Sequence, residues 1–212
     1  MIFDFEKISK IVSGYIDGKR YSHTLYVAKE AYKLGAIFMP EKAEKLALAG
    51  LLHDITKQFS LEKQLELCDK YGIIINHNKI VPKLLHAKTG AFFARELLGT
   101  ELVDDEVFNG IYYHTTGQEN MSLFQSIIYL ADYIEESRSF SDCVVLRKYF
   151  YDRLKMARTT DENLKVLADT MIESFNLTIK NLIDERKNID FDTIKARNYF
   201  LANDNIFVQG DV

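Results

Sequence analysis

A helix that is apolar around most of its circumference has to sit at the centre of whatever it belongs to. Residues 41–57 form such a segment. Ala43, Leu46, Ala47, Gly50, His53, Asp54 and Lys57 recur at the helical period on one face, and Leu48, Leu51, Leu52 and Ile55 cover the other. The segment ends in "AGLLHDITK" (49–57), where an imidazole and a carboxylate follow small and greasy residues. An unpaired charge buried at such a place is costly. Whatever satisfies His53 and Asp54 is therefore expected to be tied to function.

The rest of the chain keeps the same period. A helix is predicted over 22–34, with His23, Val27, Ala31 and Leu34 on one face and Gly35 as its stop. Pro40 suits the start of the next. Ser60 is a candidate N-cap for 61–70, with Gly72 just past the end. Residues 84–98 carry His86, Gly90, Ala94 and Leu97 on one side and close at Gly99. Asp104 can cap 105–114 and Ser122 can cap 123–137, the latter aligning Ile128, Asp132 and Glu135. Further helices are expected near 141–157, over 161–186, and in "DTIKARNYFLAN". "GIIINHNKIV" (72–81) is β-branched but has no partner strand, so it reads as a loop. The fold class is all-α, an orthogonal or bundle-like helical array.

With 212 residues, two prolines and no low-complexity linker, the chain suits one large domain or a domain with an extension. A net charge of −4 and the lack of any Lys/Arg run argue against a nucleic-acid polymer as partner, though a local basic site for a small phosphate ligand stays open. "MIFDFEKISK" does not read as an export signal, and there is no apolar run of the ~18 residues a membrane span needs. The expected location is the cytoplasm. Cys68 and Cys143 read as small buried hydrophobes or free thiols rather than a disulfide or zinc framework.

Four of the five histidines, His23, His53, His86 and His114, fall on the apolar side or at the end of separate predicted helices; His77 sits in a polar loop and reads as solvated. Asp132 lies inside "SIIYLADYI", where a carboxylate needs either a salt-bridge partner such as Arg138 or a metal. Imidazole nitrogens and carboxylate oxygens without thiolate suit Fe, Mn, Co, Ni or Zn, and adjacent ligands such as His53 and Asp54 allow a carboxylate to bridge two ions. Lys57 is either a solvated lysine favoured by the helix dipole or a phosphate ligand. Thr115, Thr116 and Gly117 form a polar turn that can cap a helix and also offer hydroxyls to phosphate. Arg138 can clamp a phosphate or ribose, or compensate Glu135 and Glu136.

In combination these residues resemble a known family. "YSHTLYVA" (21–28), "AGLLHDITK" (49–57), "LLHAKTGAFFA" (84–94), "IYYHTTG" (111–117), "ADYIEESR" (131–138) and "ARNYF" (196–200) resemble the HD-domain metal-dependent phosphohydrolases. In this order they look like the bacterial symmetrical diadenosine tetraphosphate hydrolases, the YqeK family, over about residues 5 to 200. The glycine-tyrosine-proline signature of HD-GYP cyclic-dinucleotide phosphodiesterases is missing. The chain departs from the pattern at Ala87, Lys88 and Thr89, where many members are expected to have a small residue and a proline.

The resemblance implies an HD-domain helical array, a single HD domain over 1–212 with a C-terminal helical extension at about 140–205. It implies that His23, His53, Asp54 and Asp132 hold a transition metal, iron first among the candidates, and that His86 and His114 contact phosphate or ligate a second ion. Asp54, Lys57, His86 and His114 are the implied catalytic residues. Ser22, Thr115, Thr116, Asp132 and Arg138 join them in the implied nucleotide site. The ligand would be a dinucleoside polyphosphate or an ADP-like molecule, the products two ADP, and the assembly a homodimer. Two other readings are compatible with the sequence: an HD phosphohydrolase acting on mononucleotides, and a non-catalytic nucleotide-binding module.

Overall fold

The computed structural model describes residues 4–74, 82–203 and 207, so most of "GIIINHNKIV", including His77, lies outside the described residues. Ten α-helices are described and no strand among them: α1 Phe5–Val12, α2 Gly18–Phe38, α3 Ala43–Leu52, α4 Leu61–Tyr71, α5 Pro82–Leu98, α6 Asp105–Tyr113, α7 Leu123–Ile134, α8 Ser141–Leu154, α9 Thr160–Asp184 and α10 Phe191–Ala202. The all-α expectation holds.

Local chemistry explains most boundaries. Ser60 accepts from the Lys63 amide at 3.2 Å and Gly72 closes α4 in the left-handed region, φ 64°. Asp104 caps α6 through the amides of Glu106 and Val107. Ser122 and Gln125 form a reciprocal capping box at the start of α7. Helix α1 was not anticipated from the sequence: Asp4 caps it and Ile8 and Val12 are buried, an apolar spacing hidden among the charges of the N-terminus.

Three expectations are corrected. Helix α2 runs through Gly35 to Phe38 rather than stopping there. Gly35 serves packing: a Cβ at this position would lie 2.8 Å from Ala43 Cα and 2.8 Å from Leu46 Cδ1. The chain breaks instead at Met39, whose backbone is restricted by the following Pro40. Helix α3 stops at Leu52, and residues 53–59 continue as tight turns, with the Lys57 amide donating to Asp54 O at 2.8 Å. Helix α7 stops at Ile134, because Glu135 turns to ψ 151° and directs its carboxylate inward.

Every residue from Leu46 to Thr56 is buried. Helix α3 packs against α1, α2, α5, α6 and α7, which makes it the central post of the array. Burying side chains such as Leu46, Leu51, Leu52 and Ile55 completely contributes roughly 1.5–3 kcal/mol each. Gly50 lets α2 come close, since a Cβ there would meet Ala28 Cα at 3.0 Å. Helices α8, α9 and α10 pack in series, with α9 also touching α2 and α7. Cys68 and Cys143 are buried free thiols, as expected. Among the described residues no helix is long and apolar enough to cross a membrane.

The Gly35→Ala variant tests the packing role. Alanine gains up to ~1 kcal/mol of helix propensity, while overpacking against the α3 backbone costs roughly 1–3 kcal/mol. The net expected outcome is a lower urea midpoint at unchanged m-value. A midpoint equal to or above that of the parent would mean α3 yields freely.

Candidate metal centre

Five elements bring their polar residues to one place. His23 comes from α2, His53 and Asp54 from the end of α3, His86 from α5, His114 from the end of α6 and Asp132 from α7. Two imidazoles are oriented by the helix ends they cap. His53 Nδ1 lies 2.7 Å from Gly50 O, and His114 Nδ1 lies 2.7 Å from Ile111 O. A carbonyl oxygen only accepts, so these contacts assign the proton to Nδ1 and turn a bare Nε2 toward the cluster.

The donor atoms crowd together. His23 Nε2 is 2.9 Å from Asp132 Oδ1, and His53 Nε2 is 3.4 Å from Asp54 Oδ2 and 3.7 Å from Asp132 Oδ1. Asp54 Oδ1 is 3.0 Å from His86 Nε2 and 3.6 Å from His114 Nε2. Two overlapping sets, His23–His53–Asp132 and His53–Asp54–His114, each have ligand atoms within 4.8 Å of one another, and His53 belongs to both.

Three of these atoms, His23 Nε2, His53 Nε2 and Asp54 Oδ1, are buried with no hydrogen-bond partner among the described residues. His23 Nε2 is close to Asp132 but not aligned to donate to it. Buried polar groups are normally satisfied, and lone pairs left facing one another are what a cation would satisfy. The residues present therefore fit a divalent metal.

The electrostatics prepare that state. Burial pushes the Asp54 carboxyl up, but the adjoining His53 imidazole, with His114 and His86 close by, more than reverses this and holds it well below the carboxylate range. At Asp132 burial is likewise outweighed, by Arg138, His23 and His53, and this carboxyl too is held well below its usual value. Burial lowers His53 and pushes His86 down to about 4. His23 goes the other way: burial lowers it, but the Asp132 and Glu135 carboxylates raise it overall. Charged carboxylates beside neutral His53 and His86 are the protonation states metal ligands need.

Other anticipated residues are distributed unevenly. Lys57 Nζ reaches the cluster, 2.9 Å from His86 Nε2 and 3.7 Å from Asp54 Oδ1. Thr115 Oγ1 lies 3.1 Å from His114 Nε2 and 3.4 Å from His86 Nε2. Thr116 is buried and its hydroxyl donates to Gly117 O at 2.9 Å, while Ser22 is exposed on α2. Gly117 completes the turn at φ 66° with its amide on Tyr113 O. Arg138 grips Asp132 twice, Nε to the backbone carbonyl at 2.8 Å and Nη2 to the carboxylate. It does not compensate the neighbouring glutamates. Glu136 pairs with Lys29 at 2.7 Å, and Glu135 Oε1 is 2.9 Å from His23 Nδ1.

Two contributors escaped the sequence reading. Arg20, one turn before His23, pairs with Asp54 Oδ2 at 2.7 Å. Its three-residue spacing from His23 was the available signal. Glu135 was seen only as a helix-face residue in line with Asp132. Behind the cluster, Thr56 Oγ1 donates to His86 O at 3.0 Å, and Gln64 Nε2 donates to Thr56 O at 2.6 Å. These bonds fasten the 53–59 turns to α4 and α5.

Comparison with known proteins adds to this geometry. The HD domain family matches residues 20–137. The symmetrical bis(5'-nucleosyl)-tetraphosphatase of Halalkalibacterium halodurans is 31% identical over 200 residues, covering 92% of this chain and 96% of that protein. The protein of the same name from Staphylococcus aureus is 29% identical over 201 residues, covering 95% and 96%. A crystal structure from Clostridium acetobutylicum, described as a predicted HD superfamily hydrolase involved in NAD metabolism, superposes with a TM-score of 0.81 at 36% identity, covering 96% of this chain and 100% of that one. Every residue of the buried His/Asp cluster lies within the matched stretch, and the chain belongs to the HD domain family, on the branch of the symmetrical bis(5'-nucleosyl)-tetraphosphatases.

Proposed function

We propose that this chain is a metal-dependent hydrolase that splits diadenosine tetraphosphate symmetrically, one water adding across the central phosphoanhydride to give two ADP. The observation that carries the reading is the meeting of buried, partnerless donor atoms of His23, His53 and Asp54 beside Asp132, in a chain similar along nearly its whole length to enzymes of that name. His23, His53, Asp54 and Asp132 would hold the ion, with iron the proposed occupant and His86 and His114 available to a second. When bound, the metal would acidify a water and polarise a phosphoryl oxygen.

The remaining residues suit a polyphosphate. Lys57 and Arg20 stand on either side of Asp54, and Arg138 stands beside Asp132. These three cations offset the carboxylates of Asp54, Asp132 and Glu135, so a bound divalent ion would leave the site net positive where phosphates would lie. Lys57 would neutralise charge on the departing ADP. His86 is neutral at pH 7, so it would hold phosphate as a hydrogen-bond partner rather than as a cation. Thr115 offers its hydroxyl at the same corner.

Product analysis is the direct test. Diadenosine tetraphosphate incubated with the Fe- or Mn-loaded protein should yield ADP alone. AMP with ATP, or faster attack on a mononucleotide, would rule the proposal out. Asp54→Ala should lose both metal and activity, by more than the 10–100-fold typical of residues that only support a ligand. Glu135→Gln, which alters His23 through its Nδ1, should fall within that 10–100-fold range in metal affinity. Competition titration against a chromophoric chelator reads both.

The pH dependence follows from the buried imidazoles. An unfolded histidine titrates near ~6.5, whereas folded His86 is pushed down to about 4. Between these values the unfolded chain binds the extra proton. Stability is therefore present above ~6.5 and is lost as pH falls toward 4; the lowered His53 adds in the same direction and the raised His23 opposes it. The melting temperature of the metal-stripped protein should fall across this window, and His86→Gln should flatten the slope. An unchanged slope in that variant would contradict the assignment.

A further inference from the structure

Helix α8 lies beyond the residues matched to the HD domain, yet one of its side chains reaches back to the turn that carries the α7 end of the cluster. Arg147 Nε donates to Ile134 O at 2.6 Å, and Nη2 donates to Arg138 O at 2.8 Å and also to Glu135 O. Three carbonyls from one five-residue corner thus converge on a single guanidinium. Carbonyls at a helix C-terminus have no intrahelical partner and carry the negative end of the helix dipole, so a forked cation is well matched to them.

The corner matters because of what its side chains do. Arg138, whose carbonyl Arg147 holds, fixes both the backbone carbonyl and the carboxylate of Asp132. Glu135, whose carbonyl Arg147 also holds, contacts His23 Nδ1 and accepts from the Ser137 amide and hydroxyl. The two arms end on two members of the His23–His53–Asp132 set. The other set, with Asp54 and His114, depends on the ends of α3 and α6, and among the described residues neither Asp54 nor His114 is hydrogen-bonded to this corner.

We infer that Arg147 is a positioning residue: through the Ile134–Arg138 corner it sets His23 and Asp132 for the metal, so the C-terminal extension completes the site without touching it. This rests on the metal reading given above. On this inference the residues matched to the HD domain do not hold everything the site requires.

The full-length protein, stripped of metal, is titrated with Co²⁺ as wild type, Arg147→Lys and Leu146→Ala. Lysine keeps the charge but loses the fork. Arg147→Lys should bind Co²⁺ roughly tenfold more weakly, as loss of an outer support does, with an altered visible absorption and an intact fold by circular dichroism. Leu146, buried in the same helix, controls for general loosening of α8. Leu146→Ala should lower the unfolding temperature yet bind Co²⁺ as the wild type does when titrated below its transition. Wild-type affinity and spectrum in Arg147→Lys would overturn the inference, as would equal weakening in both variants. If the wild type itself binds no Co²⁺, the metal reading fails first and this inference with it.

Discussion

The arrangement depends on one costly feature, a carboxylate placed at the end of a fully buried helix. Asp54 is 2% exposed. An ion taken out of water costs several kcal/mol even after relaxation, and total stability is only about 5–15 kcal/mol. The surroundings answer this cost directly: Arg20 and Lys57 face the carboxylate, and three imidazoles stand within 3.6 Å of its oxygens. Arg20, His86 and His114 come from α2, α5 and the end of α6, so neutralising Asp54 also determines how these helices meet α3.

Close helix approach makes that meeting possible. Gly35 and Gly50 bring α2 onto α3 at two heights, and His23 then stands 5.5 Å from His53, ring to ring. Gly90 of α5 differs, since a Cβ there would meet His53 O at 3.6 Å, an ordinary van der Waals contact. Small residues and ligands are thus two parts of one solution. The glycines set the distances between backbones, and the backbones set the distances between donor atoms.

How much of this could be read from the sequence depended on the range of the interaction. The caps Ser60, Asp104 and Ser122 were legible because each bonds an amide two or three residues away. The cluster members were legible because histidines and an aspartate on apolar faces are anomalous wherever they occur. Gly35 was misread as a stop, since its partner Ala43 lies on another element. Arg20 and Arg147 were not singled out in the sequence, and only tertiary contacts reveal what they hold. Arg138 was read with two options, and its grip on Asp132 is the salt bridge that one reading of Asp132 named.

The unbroken burial of Leu46–Thr56 has a consequence for how the molecule fails. A stretch with no solvent-facing position cannot fray while its neighbours stay in place. Its amides should be among the last to exchange with solvent, opening only in the largest cooperative event. His53 and Asp54 sit inside that stretch. On heating, therefore, there should be no broad range in which the fold persists and the centre has already melted, and the cluster should vanish in one step with the core.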